Sequence, residues 1–105
     1  MHYKYSNKTK VLDSEITTGY LLASTNQNDI VELHIDASGI VPAHALPIDV
    51  TFYVSSGSGT LILSNEEIIA NTGDIIHVDK DLERSWENKG NASLKLLVIK
   101  QKVSD

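Results

Sequence analysis

The side chains with the most chemistry to offer in this sequence are His44, His77, Asp79, Arg84 and Trp86. An imidazole titrates near neutral pH and serves as a general base or a metal ligand. A guanidinium keeps its charge and requires an anion when it is buried. Arg84, Trp86 and Asn88 are two residues apart, so on a strand they share one face; His44 and Leu46 do the same, as do Val50, Phe52 and Val54. Other groups read more plainly. His34 shares a face with Glu32 and Asp36, which makes it a solvated or interface histidine, and His77 stands opposite Ile76 and Val78 as a hydrogen-bonded structural histidine. A metal set of His44, His77 and Asp79 stays open as an alternative. The run Ser55-Ser56-Gly57-Ser58-Gly59 lies between two strand-like runs and lacks a phosphate-loop signature, so it reads as a hairpin turn. No serine has a nucleophile-elbow context, and no carboxylate pair has a motif that would bring it together.

Positioning these groups falls to short strands. Apolar runs recur at Tyr20–Ala23, Ile30–Ile35, Val50–Val54, Thr60–Leu63, Ile68–Ala70, Asp74–Val78 and Leu94–Ile99. They are separated by turn-forming stretches such as Asn26-Gln27-Asn28-Asp29, Asn71-Thr72-Gly73 and Asn88-Lys89-Gly90-Asn91. Turns at intervals of roughly eight to twelve residues predict a sandwich or closed barrel. No βαβ rhythm, repeat, linker or low-complexity tract interrupts the pattern, so residues 1–105 are expected to form one all-β domain.

Two segments carry a family resemblance. The first, Gly39 to Gly57, includes His44, and the second, Gly73 to Asn88, opens with Gly73-Asp74 and closes on Asn88. Together they resemble the two motifs of the cupin superfamily, with the frame glycines and the final asparagine in place and one residue fewer before His44. The resemblance spans about residues 30 to 100, including an intermotif hairpin from Gly59 to Ala70. It implies a double-stranded β-helix, or jelly-roll barrel, whose motif faces look inward. The barrel interior would then be an apolar cup of Leu46, Val50, Phe52 and Trp86 carrying His44, Arg84 and Asn88, the usual makeup of a small-molecule site. A barrel of this size can equally be filled by its own side chains.

The departures from the family pattern fall on its metal chemistry. The four ligand positions map to His44, Leu46, Val50 and Arg84, and leucine, valine and arginine donate nothing to a metal. No metal or other cofactor is therefore expected. Asp79 and Asp81 replace the family proline and glycine in the turn before Arg84. The leading functional expectation is a metal-independent cupin that binds a small anionic molecule through His44, Leu46, Val50, Phe52, Arg84, Trp86 and Asn88. The alternatives are an isomerase or epimerase with His44 as general base, helped by Tyr53, Tyr20 or Asp49, and a packed-core interaction module. Internal partners for Arg84 would come from Asp49, Asp81 or Glu83.

Composition narrows the partners. A chain of 105 residues with 41% hydrophobic and 22% charged side chains is an ordinary globular protein, long enough to bury roughly 60 to 70% of its unfolded surface. The net charge of −5 gives no positive field for a phosphate backbone, so nucleic acid is not expected. The absence of cysteine excludes disulfides, thiolate metal sites and cysteine nucleophiles. Met1 to Lys8 has no apolar signal region, and no long apolar run occurs, so the expectation is a cytoplasmic protein without membrane spans. Edge-prone apolar strands at Tyr3–Tyr5 and Leu94–Ile99 suggest a homodimer.

Overall fold

The structure, a computed structural model, describes residues 1–102. After a 3₁₀ turn at Tyr5–Asn7 the chain forms ten strands: β1 (Thr9–Asp13), β2 (Thr17–Ser24), β3 (Asn28–Ile35), β4 (Ile40–His44), β5 (Val50–Ser56), β6 (Ser58–Leu63), β7 (Glu66–Asn71), β8 (Ile75–Val78), β9 (Arg84–Glu87) and β10 (Leu94–Gln101). They build a six-stranded sheet in the order β1-β2-β3-β10-β5-β8 and a four-stranded sheet in the order β4-β9-β6-β7. Every pairing is antiparallel. The expected all-β jelly-roll barrel is the observed architecture. Among the described residues, no helix is long and apolar enough to cross a membrane.

Alternation builds the core. On β10, Leu94, Leu96 and Val98 are buried while Lys95 is exposed, and their partners across the ladder are Ile35, Leu33 and Val31 on one side with Val54 and Phe52 on the other. The opposing sheet contributes Leu61, Ala70 and Trp86. Fully burying one such side chain contributes about 1.5 to 3 kcal/mol, so this two-sided row on β10 holds the larger sheet to the core. Leu94–Ile99 is therefore a central strand, flanked by β3 and β5, and not the free edge expected. Tyr3–Tyr5 forms no strand either; Tyr3 Oη donates to Ser24 O at 2.8 Å and Tyr5 Oη to Glu32 at 2.6 Å, so tyrosine hydroxyls tether that segment in place of a ladder.

The glycine-rich run also differs from its expectation. β5 and β6 belong to different sheets, so Ser55–Gly59 is a corner at which the chain crosses the barrel, not a hairpin turn. Gly57 takes φ +83 there, and a Cβ would come within 2.6 Å of Ser93 O, so the position requires glycine. At one side of the barrel the edge strands β7 and β8 follow each other in the chain, and the β5–β8 ladder runs on into their turn through Val54 N–H to Asp74 O (3.0 Å) and Gly73 N–H to Val54 O (2.8 Å). On the other, the edge strands β1 and β4 share no ladder.

Candidate ligand-binding site

Strands β4 and β9 set up the site. His44 is the cross-strand partner of Arg84, and Val41 that of Trp86, with a register shift between Val41 and His44. Directly opposed residues project from the same face. Pro42 interrupts β4 where only an edge strand tolerates it. Ahead of β9 the chain turns at Asp81, whose φ of 69 is left-handed, and Asp81 N–H donates to Leu46 O at 2.7 Å. An aspartate thus adopts a backbone form that favours glycine, and it joins the turn to the loop carrying Leu46.

The motif faces enclose a real cavity of about 130 Å³. Six of the expected residues line it: His44, Leu46, Val50, Phe52, Arg84 and Trp86. The barrel is thus not wholly filled by its own side chains. Leu12, Leu33, Val41, Ser85, Val98 and Lys100 complete the wall and were not among the expected site residues. For Lys100 the signal was present, since alternation from Leu94 through Leu96 and Val98 carries it to the inner face. Leu12 and Val41 lie on edge strands whose place in the barrel only the tertiary structure fixes.

Asn88 does not line the cavity. Its side-chain amide donates to Ile35 O (3.0 Å), Asp36 O (3.1 Å) and Ala92 O (2.8 Å), and its Oδ1 accepts from Gly90 N–H (3.1 Å). Its two amide hydrogens are shared among three backbone carbonyls, so it is a buried clasp between the sheets and not a contact to the cavity. Nor do His44, His77 and Asp79 converge. His77 and Asp79 gather instead with Asp49, outside the cavity. His77 is exposed and bonded to Thr51 Oγ1 (3.1 Å) and Asp79 (3.2 Å), as expected of a hydrogen-bonded structural histidine. His34 bonds Glu32 at 2.7 Å and stacks at a tilt on Tyr20. Tyr53 and Tyr20, like Asp49, are absent from the cavity wall, so none of them backs His44.

The electrostatics of the cavity are one-sided. Arg84 is 2% exposed; its Nη1 donates to Leu82 O at 3.1 Å, while Nε has no hydrogen-bond partner. No described carboxylate pairs with it. Asp49 instead accepts from Lys80 N–H at 2.8 Å, and Asp81 and Glu83 are exposed. Burial pushes the Arg84 pKa down, but a guanidinium starts so high that it stays charged. Trp86, also 2% exposed, leaves Nε1 without a partner. Phe52 packs edge-on to its ring at 5.4 Å. At the mouth, His44 Nδ1–H donates to Pro42 O at 3.0 Å, which leaves the Nε2 lone pair free. Among the described residues no acid lines the cavity, whereas Arg84, Lys100 and His44 all do.

Residues 31–100 match the family profile of the cupin domain. The chain belongs to the cupin family. Solved structures agree on the fold. This cupin superposes on an RmlC-like cupin from Shewanella frigidimarina with a TM-score of 0.86 and 12% identity, over 100% of this chain and 94% of that one. It superposes on a predicted oxalate decarboxylase from Thermotoga maritima with a TM-score of 0.84 and 18% identity, over 98% and 100% of the two chains. The polyketide cyclase RemF from Streptomyces resistomycificus gives 0.83 and 15%, over 96% and 78%. A comparison with curated proteins finds no match. Neighbours described by such different activities share the barrel, so the function of this cupin must be argued from its own cavity.

Proposed function

We propose that this cupin binds a small organic anion inside its barrel, with Arg84 as the principal counter-charge. The observation that carries the reading is the Arg84 guanidinium itself, 2% exposed and without a carboxylate partner among the described residues. Leaving a buried charge uncompensated is costly, and an anionic ligand supplies the missing compensation. Lys100 extends the positive wall, His44 adds a hydrogen-bonding group, and Leu46, Val50 and Phe52 hold the apolar body of the ligand. Trp86 Nε1, a buried donor with nothing to donate to, offers a further hydrogen bond.

A metal of the kind the family resemblance implies does not fit these residues. His44 is the one metal donor at the four ligand positions, where three or more donors must converge, and the Arg84 charge repels a cation. A catalytic version of the reading rests on the free Nε2 of His44 at the cavity mouth. It places proton abstraction at a carbon of the bound anion, with no carboxylic acid or tyrosine among the described wall residues to act as the paired acid.

Thermal melts and calorimetric titration with acetate, butyrate and benzoate test the proposal. A ligand that binds only the folded state raises Tm with concentration. Arg84→Met should abolish that response, and because it removes an unpaired buried charge it should leave the free protein at least as stable as the parent. An Arg84→Met protein that still responds, or that is less stable by about 3 to 5 kcal/mol as a broken internal pair would be, overturns the assignment.

A further inference from the structure

The seam between β1 and β4 holds a second space. An open groove of about 640 Å³ runs along these strands. Its walls carry Leu12, Ile16, Ile40 and Val41, of which Leu12 (43%), Ile16 (39%) and Ile40 (49%) are exposed. Large apolar side chains gathered on a concave surface mark a binding site more often than chance exposure. Leu12, Val41 and His44 line both the groove and the inner cavity, so the two spaces adjoin at these three residues.

We infer that the ligand is an elongated amphiphilic carboxylate, with its anionic head at Arg84 and an apolar chain leaving past His44 into the β1–β4 groove; this rests on the anion-site reading above. Size supports it, because 130 Å³ is close to the volume of an engineered cavity that takes a single benzene molecule, so a longer chain must continue outside it. Charge sets the orientation. The inner cavity is lined by Arg84 and Lys100 and no acid, whereas the groove carries the Glu15 carboxylate and no lysine or arginine. A negative head is therefore favoured inside and disfavoured outside, while Ile16 and Ile40 offer apolar surface to the chain. A bulky or highly hydroxylated acid gains nothing from these walls. The groove thus sets the specificity, and the inner cavity the affinity for charge.

The test is a calorimetric series of straight-chain saturated monocarboxylates from acetate to decanoate, with the primary alcohols of matching length, on the parent protein and on the double variant Ile16→Ser, Ile40→Ser. Both substituted positions are exposed, so the fold is retained. In the parent, affinity should rise about two- to fourfold per added methylene once the chain outgrows the inner cavity. The variant should bind acetate unchanged and lose the rise, and the alcohols should bind far more weakly than the acids. Short acids that bind with no dependence on chain length overturn the groove assignment and leave the anion site standing. No binding by any acid, or alcohols binding as well as acids, overturns the anion site and the inference with it. Light scattering on the same proteins reads the competing occupant: a parent dimer that the double substitution dissociates assigns the groove to a second copy of the chain and overturns the inference.

Discussion

His44 and Arg84 are direct partners across the β4–β9 ladder, and both line the cavity. An imidazole therefore stands beside a permanent positive charge in the wall of the cavity. If the proposed anion is held there mainly by the charge, His44→Gln should weaken benzoate binding far less than Arg84→Met does. Calorimetric titration of benzoate into the parent and the two variants checks this. Equal losses in the two variants would give His44 an equal share in holding the anion.

Gly59 on β6 sits against the floor of the site. A Cβ there would collide with Leu94 Cδ2 and press on Trp86 Cε3 and Cζ3 at 3.2 and 3.3 Å. Backing the six-membered ring in this way leaves Nε1 on the far side of the indole. Gly59→Ala should cost about 1 to 3 kcal/mol from overpacking and shift Trp86 emission. Denaturant melts followed by tryptophan fluorescence measure both, and an unaltered spectrum with parent stability would refute the close packing.

Acid stability should depend on Glu32. Burial raises its pKa, but hydrogen bonds from Tyr5 and His34 outweigh that and leave it below its ordinary value. A depressed folded-state pKa contributes stability that is present above the unfolded value and is lost as pH falls through the folded one. Melts taken from about pH 6 down to about pH 3 should therefore show a steep acid loss that Glu32→Gln makes shallower. Equal slopes in the two proteins would remove Glu32 from the account.

The left-handed Asp81 gives the last expectation. Left-handed backbone costs an L-residue roughly 1 to 2 kcal/mol, somewhat less for aspartate, and glycine escapes it. Asp81→Gly should be neutral or stabilising, while Asp81→Val should destabilise and, through the bond to Leu46 O, weaken ligand binding. A valine variant with parent stability and affinity contradicts this.

The barrel was legible because its central strands advertise themselves. Val50 to Val54 and Leu94 to Ile99 alternate or run apolar, and Gly39, Gly57, Gly73 and Asn88 keep the family frame. β1, with all of Thr9–Asp13 exposed, carries no such signal, because an edge strand facing solvent has no buried row to enforce one. Asn88 was legible as an inward residue but not as a backbone clasp, since its partners Ile35 and Asp36 lie more than fifty positions away. The lack of any acid beside Arg84 is likewise a tertiary fact: Asp81 and Glu83 are near it in sequence, and both turn outward.

The edge strands β1 and β4 face each other across the groove with no ladder between them. Mechanically they are two unjoined lips. A guest that touches Leu12 on one and Val41 on the other becomes the missing fastener, so occupancy is felt as stiffness: amide exchange along both lips should slow together.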